Sequence, residues 1–398
     1  MIFTTYWFLA FSVLVVGVFH LLPRQGWKLG FLGLACLIFH AHFAGPAGMA
    51  PIIGMMIATY FAGVSGRRGA SLAAMALCVG ALCFYKYAYF IVGATVDPWA
   101  PVVATRLRNL ALSVTPGAPP LGISFFAFEF IHYVYEVRKG GEPIRNPLKF
   151  LLFSIFFPSL VAGPIKRYGQ FLPALEEGSR GFRLENLGEG LFRISTGFVK
   201  KVVIADNLNL YVEAYQPDFG TMSLLGRWIL LCAIGGRILL DFSGYSDIAI
   251  GVARLLGITL PENFNWPYLA KNLQDFWQRW HISLSLWIRD YVYIPLGGSH
   301  HGVARRILNA LVAFALCGLW HGPDWHFVAW GVYHGAGLGV CASYGKIPVL
   351  GSILEKQVFE REPLIGLVVT QVYVLLGWLL FFFPVHDALQ MARLLLGQ

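Results

Sequence analysis

Charged side chains are scarce in this sequence. They make up 13% of its 398 residues, against roughly 25% in soluble domains. Hydrophobic residues reach 57%, with a mean hydropathy of +0.62, so the composition excludes a soluble globular chain and implies a polytopic membrane protein. Paired cysteine spacing is lacking too. Cys36, Cys78, Cys83, Cys232, Cys317 and Cys341 lie in apolar segments without the spacing of a zinc site or a disulfide framework, and read as small core hydrophobes. No basic residue precedes the first apolar run and no small-residue cleavage site follows it. "MIFTTYWFLAFSVLVVGVFHLLPRQ" therefore reads as a retained first span rather than a signal peptide. The chain has neither a GxSxG elbow nor an HExxH zinc motif, and no internal repeat is evident.

What is present is a succession of apolar segments of about spanning length, roughly 20 residues each. They lie near 4–22, 28–45, 47–64, 70–94, 121–137, 148–164, 222–242, 307–321, 325–343 and 364–384. Shorter or more polar helical pieces fall near 188–212, 244–258 and 280–296. The expectation is an all-α fold of about ten to twelve helices, some broken or re-entrant where protein or a water-filled cavity shelters the backbone. Residues 1–120 read as amino-terminal helices, 121–343 as a motif-bearing core and 344–398 as a carboxy-terminal helical region of one membrane domain.

Basic residues in short loops set orientation. Arg24 and Lys28 follow the first span, Arg67 and Arg68 the third, and Arg138, Lys139, Arg145 and Lys149 the fifth. The intervening loops are poorer in positive charge, so the amino terminus is expected outside. The alternation is strained at "PSLVAGPIKRYGQF", where Pro158, Gly163 and Pro164 break helices and favour a re-entrant segment. The net charge of +9 reads first as a cytoplasmic face that sets topology and attracts anionic lipid. The second reading is docking of an acidic soluble partner through Lys166, Arg167, Lys200 and Lys201. No nucleic-acid partner is expected.

Residues 241–337 hold Asp241, Asp247, Asp275, Arg279, His281, Arg289 and Asp290, more ionisable groups than a spanning argument explains. Such groups are costly at membrane depth and face a cavity or each other. Most read as scaffold. Asp275 and Arg279 have the i, i+4 spacing of a helix ion pair, Asp290 can pair with a neighbouring arginine, and Trp277, Trp280 and Trp287 fit an interfacial aromatic belt.

His281 and His321 fit that reading less well. Gly318 and Gly322 flank His321, and Gly331, Gly335 and Gly339 form a second small-residue ridge, so the helices bearing them can approach closely. A histidine at such a crossing is buried and neutral, because desolvation disfavours the imidazolium, and a neutral imidazole is what a general base needs. His326 and His334 share the segment and read as interfacial or packing groups.

The stretches "GISFFAFEFIHYVYEV", "LVAGPIKRYGQF", "GYSDIAIG", "NFNWPYLAKNLQDFWQRWHISLSLWIRDYVYIPLGG" and "LWHGPDWHFVAWGVYHG" together resemble the membrane-bound O-acyltransferase family, in the bacterial branch that acylates cell-envelope polymers. The resemblance runs over nearly the whole chain, and its long tryptophan-rich stretch is the specific part. It implies a funnel-shaped helical fold with a transmembrane tunnel, in the bacterial inner membrane. It implies no permanently bound cofactor or metal. The co-substrate is an acyl thioester on the cytoplasmic side, acetyl-coenzyme A or an acyl carrier protein. The acceptor is an envelope polysaccharide, or a periplasmic SGNH-type acyltransferase that relays the group.

The family's histidine before the glycine of its HGxxW-like element falls on His321, and its second position falls on His281. His321 is thus the expected general base. His281 is expected to donate a hydrogen bond to the developing oxyanion or to orient the acyl group, with Trp277, Trp280, Ser283, Trp320 and Trp325 around the substrates. Direct transfer and a transient acyl-histidine both fit. A transporter would call for inverted repeats or matched interrupted helices. A non-catalytic component of a polysaccharide acylation or export complex is the stronger alternative.

Overall fold

Gly45, at φ 65° and ψ 173°, breaks the longest apolar run of the chain into two helical arms and is followed directly by Pro46. In the computed structural model, residues 2–114, 119–160, 163–300, 302–343 and 363–397 are described. They are helical and turn-forming, with no strand among them. Residues 1–198 with 245–261 form one unit, and residues 199–244 with 262–398 form a second.

The first unit runs through α1 (Tyr6–Leu21), α2 (Gln25–Ser65), α3 (Arg68–Leu82), α4 (Ala88–Thr95), α5 (Pro101–Val114), α6 (Ile123–Arg138), α7 (Pro147–Ile155), α8 (Tyr168–Arg180) and α9 (Leu184–Phe198). The two arms of α2 take the places of the expected spans 28–45 and 47–64. They pack against α3, α6 and α7 through an aromatic core in which Phe8, Phe39, Phe153 and Phe157 are fully buried. A π-helical turn, Cys83–Tyr87, joins α3 to α4.

Three expectations change here. The span near 148–164 stops at Ile155, and Pro158 sits in a single 3-10 turn, Phe157–Ser159, because proline ends the preceding helical ladder. This accords with a segment that does not cross as one helix. The interval 95–120, read as a loop, contains the amphipathic helix α5, whose charged residues Arg106 and Arg108 hide it from a hydropathy count.

The third change concerns charge. Lys166 is 2% exposed and its Nζ lies 2.6 Å from Glu129 Oε1. It is a buried ion-pair partner and cannot form part of a docking face.

The second unit holds α10 (Asp206–Tyr215), most of α11 (Leu224–Leu255), α12 (Leu273–Arg279), α13 (Ile282–Ile288), α14 (Gly302–His321), α15 (Trp325–Cys341), α16 (Pro363–Phe382) and α17 (Val385–Leu395). The pieces expected at 222–242 and 244–258 are one continuous helix, since Ser243 and Gly244 weaken a helix without stopping it. Lys201 is 1% exposed and ion-pairs with Asp206 and with Asp241, the latter at 2.6 Å, so it too is withdrawn from any docking surface.

Among the described residues, four helices are long and apolar enough to cross a membrane: Gln25–Ser65, Arg68–Thr95, Gly302–His321 and Leu364–Phe382. The other expected spans are realised as shorter or more polar helices. With these elements the chain is an all-α, multi-pass membrane protein.

Candidate active site

α14 and α15 form the scaffold of the site, and glycine sets their separation. A Cβ on Gly318 would lie 2.0 Å from the Phe327 carbonyl oxygen, and one on Gly331 would lie 2.0 Å from that of Phe314. Both clashes are with backbone, so only hydrogen fits and the two helices meet at backbone contact. α14 ends at His321 because Gly322 and Pro323 follow. α15 starts where the Asp324 carboxylate accepts the His326 amide at 3.1 Å, an N-cap.

His321 lies on the inner side of this hairpin. Its ring meets Trp320 at 4.8 Å, Trp330 at 5.2 Å and Phe381 at 5.1 Å between centroids, each edge to face. Trp320 also meets His281 at 6.2 Å, so one buried tryptophan touches both expected catalytic histidines.

His281 is presented differently. It is the junction between α12 and α13, two seven-residue helices outside the four candidate spans. Its φ of 42° is left-handed, which among the described non-glycine residues only Trp266 shares. A side chain held there costs about 1–3 kcal/mol and persists where the surroundings over-determine it. The surroundings are a second segment laid alongside: the Ile282 amide donates to the Asn263 carbonyl and the Asn265 amide to that of Arg279, both at 2.9 Å. Phe242, 4.6 Å from the imidazole, and Phe264, 6.5 Å from it, wall the ring, which is 1% exposed. Burial, and secondarily the neighbouring His321, hold the pKa of His281 well below the ordinary imidazole value.

The Asn263 side chain completes this corner. Its Oδ1 lies 3.0 Å from His281 Nδ1 and accepts from the Ser283 amide at 3.3 Å and the Ser283 hydroxyl at 2.8 Å. Asn263 is fully buried and did not stand out in the sequence. Its only signal was membership of the "NFNWPY" stretch. The Ser283 hydroxyl, expected at substrate, is directed onto Asn263.

The tryptophans also depart from expectation. Trp277, Trp280 and Trp287 are 6%, 4% and 6% exposed, where an interfacial belt needs them facing lipid. Trp277 packs on Phe314 and Trp330, and Trp280 on Phe276 and Trp378, aromatic contacts that stabilise beyond the burial of their area. Trp325 is 60% exposed at the start of α15. The two expected ion pairs form: Arg279 with Asp275 at 2.6 Å and Arg289 with Asp290 at 2.7 Å. His326 directs Nδ1 at the Leu380 carbonyl at 3.0 Å, and His334 is fully buried among Trp277, Trp330 and Tyr373.

Beside this corner lies a cavity of about 440 Å³ whose wall includes Trp277, Ile282, Phe314 and Cys317, with Arg289 and Arg306 among its few polar groups. Cys317 stands one helical turn before His321, so the cavity and His321 share α14.

A buried histidine and a half-buried one beside a mostly apolar cavity are shared by several chemistries, and comparison with known proteins narrows them. Residues 138–344, about half of the chain and including both histidines, match the model of the membrane-bound O-acyltransferase family. The chain belongs to that family. It is 37% identical over 323 residues to the probable alginate O-acetylase AlgI of Azotobacter vinelandii, covering 79% of this chain and 60% of the relative. Against the peptidoglycan O-acetyltransferase of Helicobacter pylori it is 34% identical over 293 residues, 66% of this chain and 54% of that one. Against the teichoic acid D-alanyltransferase of Bacillus subtilis it is 31% identical over 257 residues, 61% and 65%. The chain therefore spans little more than half to two thirds of these relatives' lengths. Their names share acyl transfer to an envelope polymer and differ in acyl group and acceptor.

Proposed function

We propose that this chain is an inner-membrane O-acyltransferase that moves a small acyl group, acetyl first, from a cytoplasmic thioester to a hydroxyl of a cell-envelope polysaccharide or of a periplasmic relay protein. The observation that carries the reading is the pair of histidines in ring contact with Trp320, His281 buried and His321 half-buried, within the family-matching region. Two of the relatives are named for acetylation, which favours acetyl over an amino-acyl group.

The acceptor oxygen attacks the thioester carbonyl, a carbon–oxygen bond forms, the carbon–sulfur bond breaks, and the thiol leaves carrying the proton that the hydroxyl gives up. His321 takes that proton as general base, a contribution of about a hundred- to ten-thousand-fold. His281 is the second imidazole at the reacting centre. The cavity walled by Trp277 and Cys317 suits the apolar end of a thioester carrier, and Arg289 and Arg306 suit its phosphate. Of the four basic residues first considered for docking an acidic carrier, the burial of Lys166 and Lys201 leaves Arg167 and Lys200.

The deciding experiment is acyl transfer by purified protein from acetyl-coenzyme A or a loaded carrier protein to polysaccharide. It is run with wild type and with His321→Ala and His281→Ala, normalised to folded protein. Loss in both variants supports the reading. Transfer by folded His321→Ala at near the wild-type rate removes the base, and dispensability of both histidines while cells still need the chain for envelope acylation turns it into a non-catalytic partner.

A further inference from the structure

We infer that Asn263 is a positioning residue that locks His281 in its Nδ1–H tautomer, so that the ring meets the reacting centre with the Nε2 lone pair. The inference rests on the reading above that His281 belongs to that centre. The identity of the Asn263 atom facing His281 follows from its other partner. The Ser283 backbone amide can only donate, and it points at the same Asn263 atom at 3.3 Å, so that atom is the oxygen and not the nitrogen of the amide. The Ser283 hydroxyl reaches the same oxygen at 2.8 Å. An oxygen facing His281 Nδ1 at 3.0 Å obliges Nδ1 to donate.

In a neutral imidazole one nitrogen donates and the other accepts. With Nδ1 donating, the lone pair is at Nε2. Nε2 is buried and makes no hydrogen bond within the protein, so no protein donor occupies that lone pair. The left-handed backbone at residue 281 and the two backbone hydrogen bonds between 263–265 and 279–282 fix the ring's origin, and Asn263 fixes its rotation and proton. His281 therefore meets substrate as an acceptor, able to orient the hydroxyl whose proton His321 takes. Donation to an oxyanion, the role first expected of it, requires the imidazolium, which this burial disfavours. Orientation of a catalytic imidazole through Nδ1–H is the arrangement by which a buried third group sets base strength at Nε2.

The test measures the tautomer directly. The full chain in lipid nanodiscs is labelled with 15N-histidine, and the His281 signals are identified by their loss in His281→Gln. The expected wild-type spectrum has a protonated Nδ1 and an unprotonated Nε2. Asn263→Leu should mix or invert the tautomers and lower kcat for acyl transfer by about a hundredfold, the lower end of a general base's contribution, with KM for acetyl-coenzyme A little changed. Asn263→Asp still accepts from His281 Nδ1 and from the Ser283 amide and hydroxyl, so it should keep the Nδ1–H form, recover most of kcat and move the pH profile upward.

A wild-type Nε2–H tautomer overturns the inference whether or not any variant folds. So does a folded Asn263→Leu protein that keeps Nδ1–H. A tautomer that shifts in Asn263→Leu while transfer is unchanged leaves the lock standing and removes His281 from the reaction, which separates failure of the catalytic reading from failure of the inference.

Discussion

Lys166 and Glu129 form an ion pair 2.6 Å long with side chains 2% and 6% exposed, and the ammonium lies over the rings of Phe153 and Phe171 at 5.9 and 5.8 Å. Two charges so withdrawn from water hold each other at the cost of their hydration, and removing one strands the other. Breaking a buried pair costs about 3–5 kcal/mol. Lys166→Met should therefore lower the unfolding temperature in detergent sharply, and adding Glu129→Leu should restore most of it. Donor use by Lys166→Met protein that remains folded should show the wild-type dependence on salt. A selective loss of donor affinity at low salt would return Lys166 to the carrier-docking role that its burial argues against.

The apolar runs of α2, α14 and α16 were legible because helices long enough to span must be continuous in hydrophobicity, and the end of α14 was legible in the Gly322–Pro323 stop. The pairing of Asn263 with His281 was not. The two lie 18 residues apart, joined through a 3-10 turn and the short helix α12, and no single periodicity runs across that path to relate one position to the other. Lys166 misled for a related reason. Counting basic residues treats each as solvated, whereas its partner lies 37 residues upstream inside a helix that reads as an ordinary span. His321 stood out through Gly318, Gly322 and the neighbouring Trp320, while its expected role as base came from the family resemblance and not from those neighbours. The left-handed turn that presents His281 has no local signature, since it is imposed by the segment that packs against it.

His334 is fully buried, and neither ring nitrogen makes a hydrogen bond within the protein. Its ring is enclosed by Phe276, Trp277, Trp330, Tyr333, Tyr373 and Trp378. An unpaired buried polar group costs about 1–3 kcal/mol, and replacement by an apolar group of similar shape is close to neutral. His334→Leu should thus unfold within about 1 kcal/mol of wild type, while His334→Ala, which opens a cavity, should cost about 2–5 kcal/mol. Denaturant unfolding in detergent reads both. Equal destabilisation by Leu and Ala would show that the imidazole nitrogens, rather than the ring's volume, are what the site needs.

Orientation follows from where the basic residues of the first unit are exposed. Lys139 ends α6 at an exposed turn, and Trp99, before α5, is 86% exposed, so cysteine at either position is accessible to a label without disturbing the core. Basic residues favour the cytoplasmic side, and the 138–147 loop carries Arg138, Lys139 and Arg145. In a background free of the six native cysteines, Lys139→Cys should react with an impermeant maleimide only after the membrane is opened. Trp99→Cys should react in intact cells. That arrangement places α6 as an outside-to-inside crossing and puts the amino terminus of the chain outside. Labelling of Lys139→Cys in intact cells would overturn this orientation of α6 and of the amino terminus.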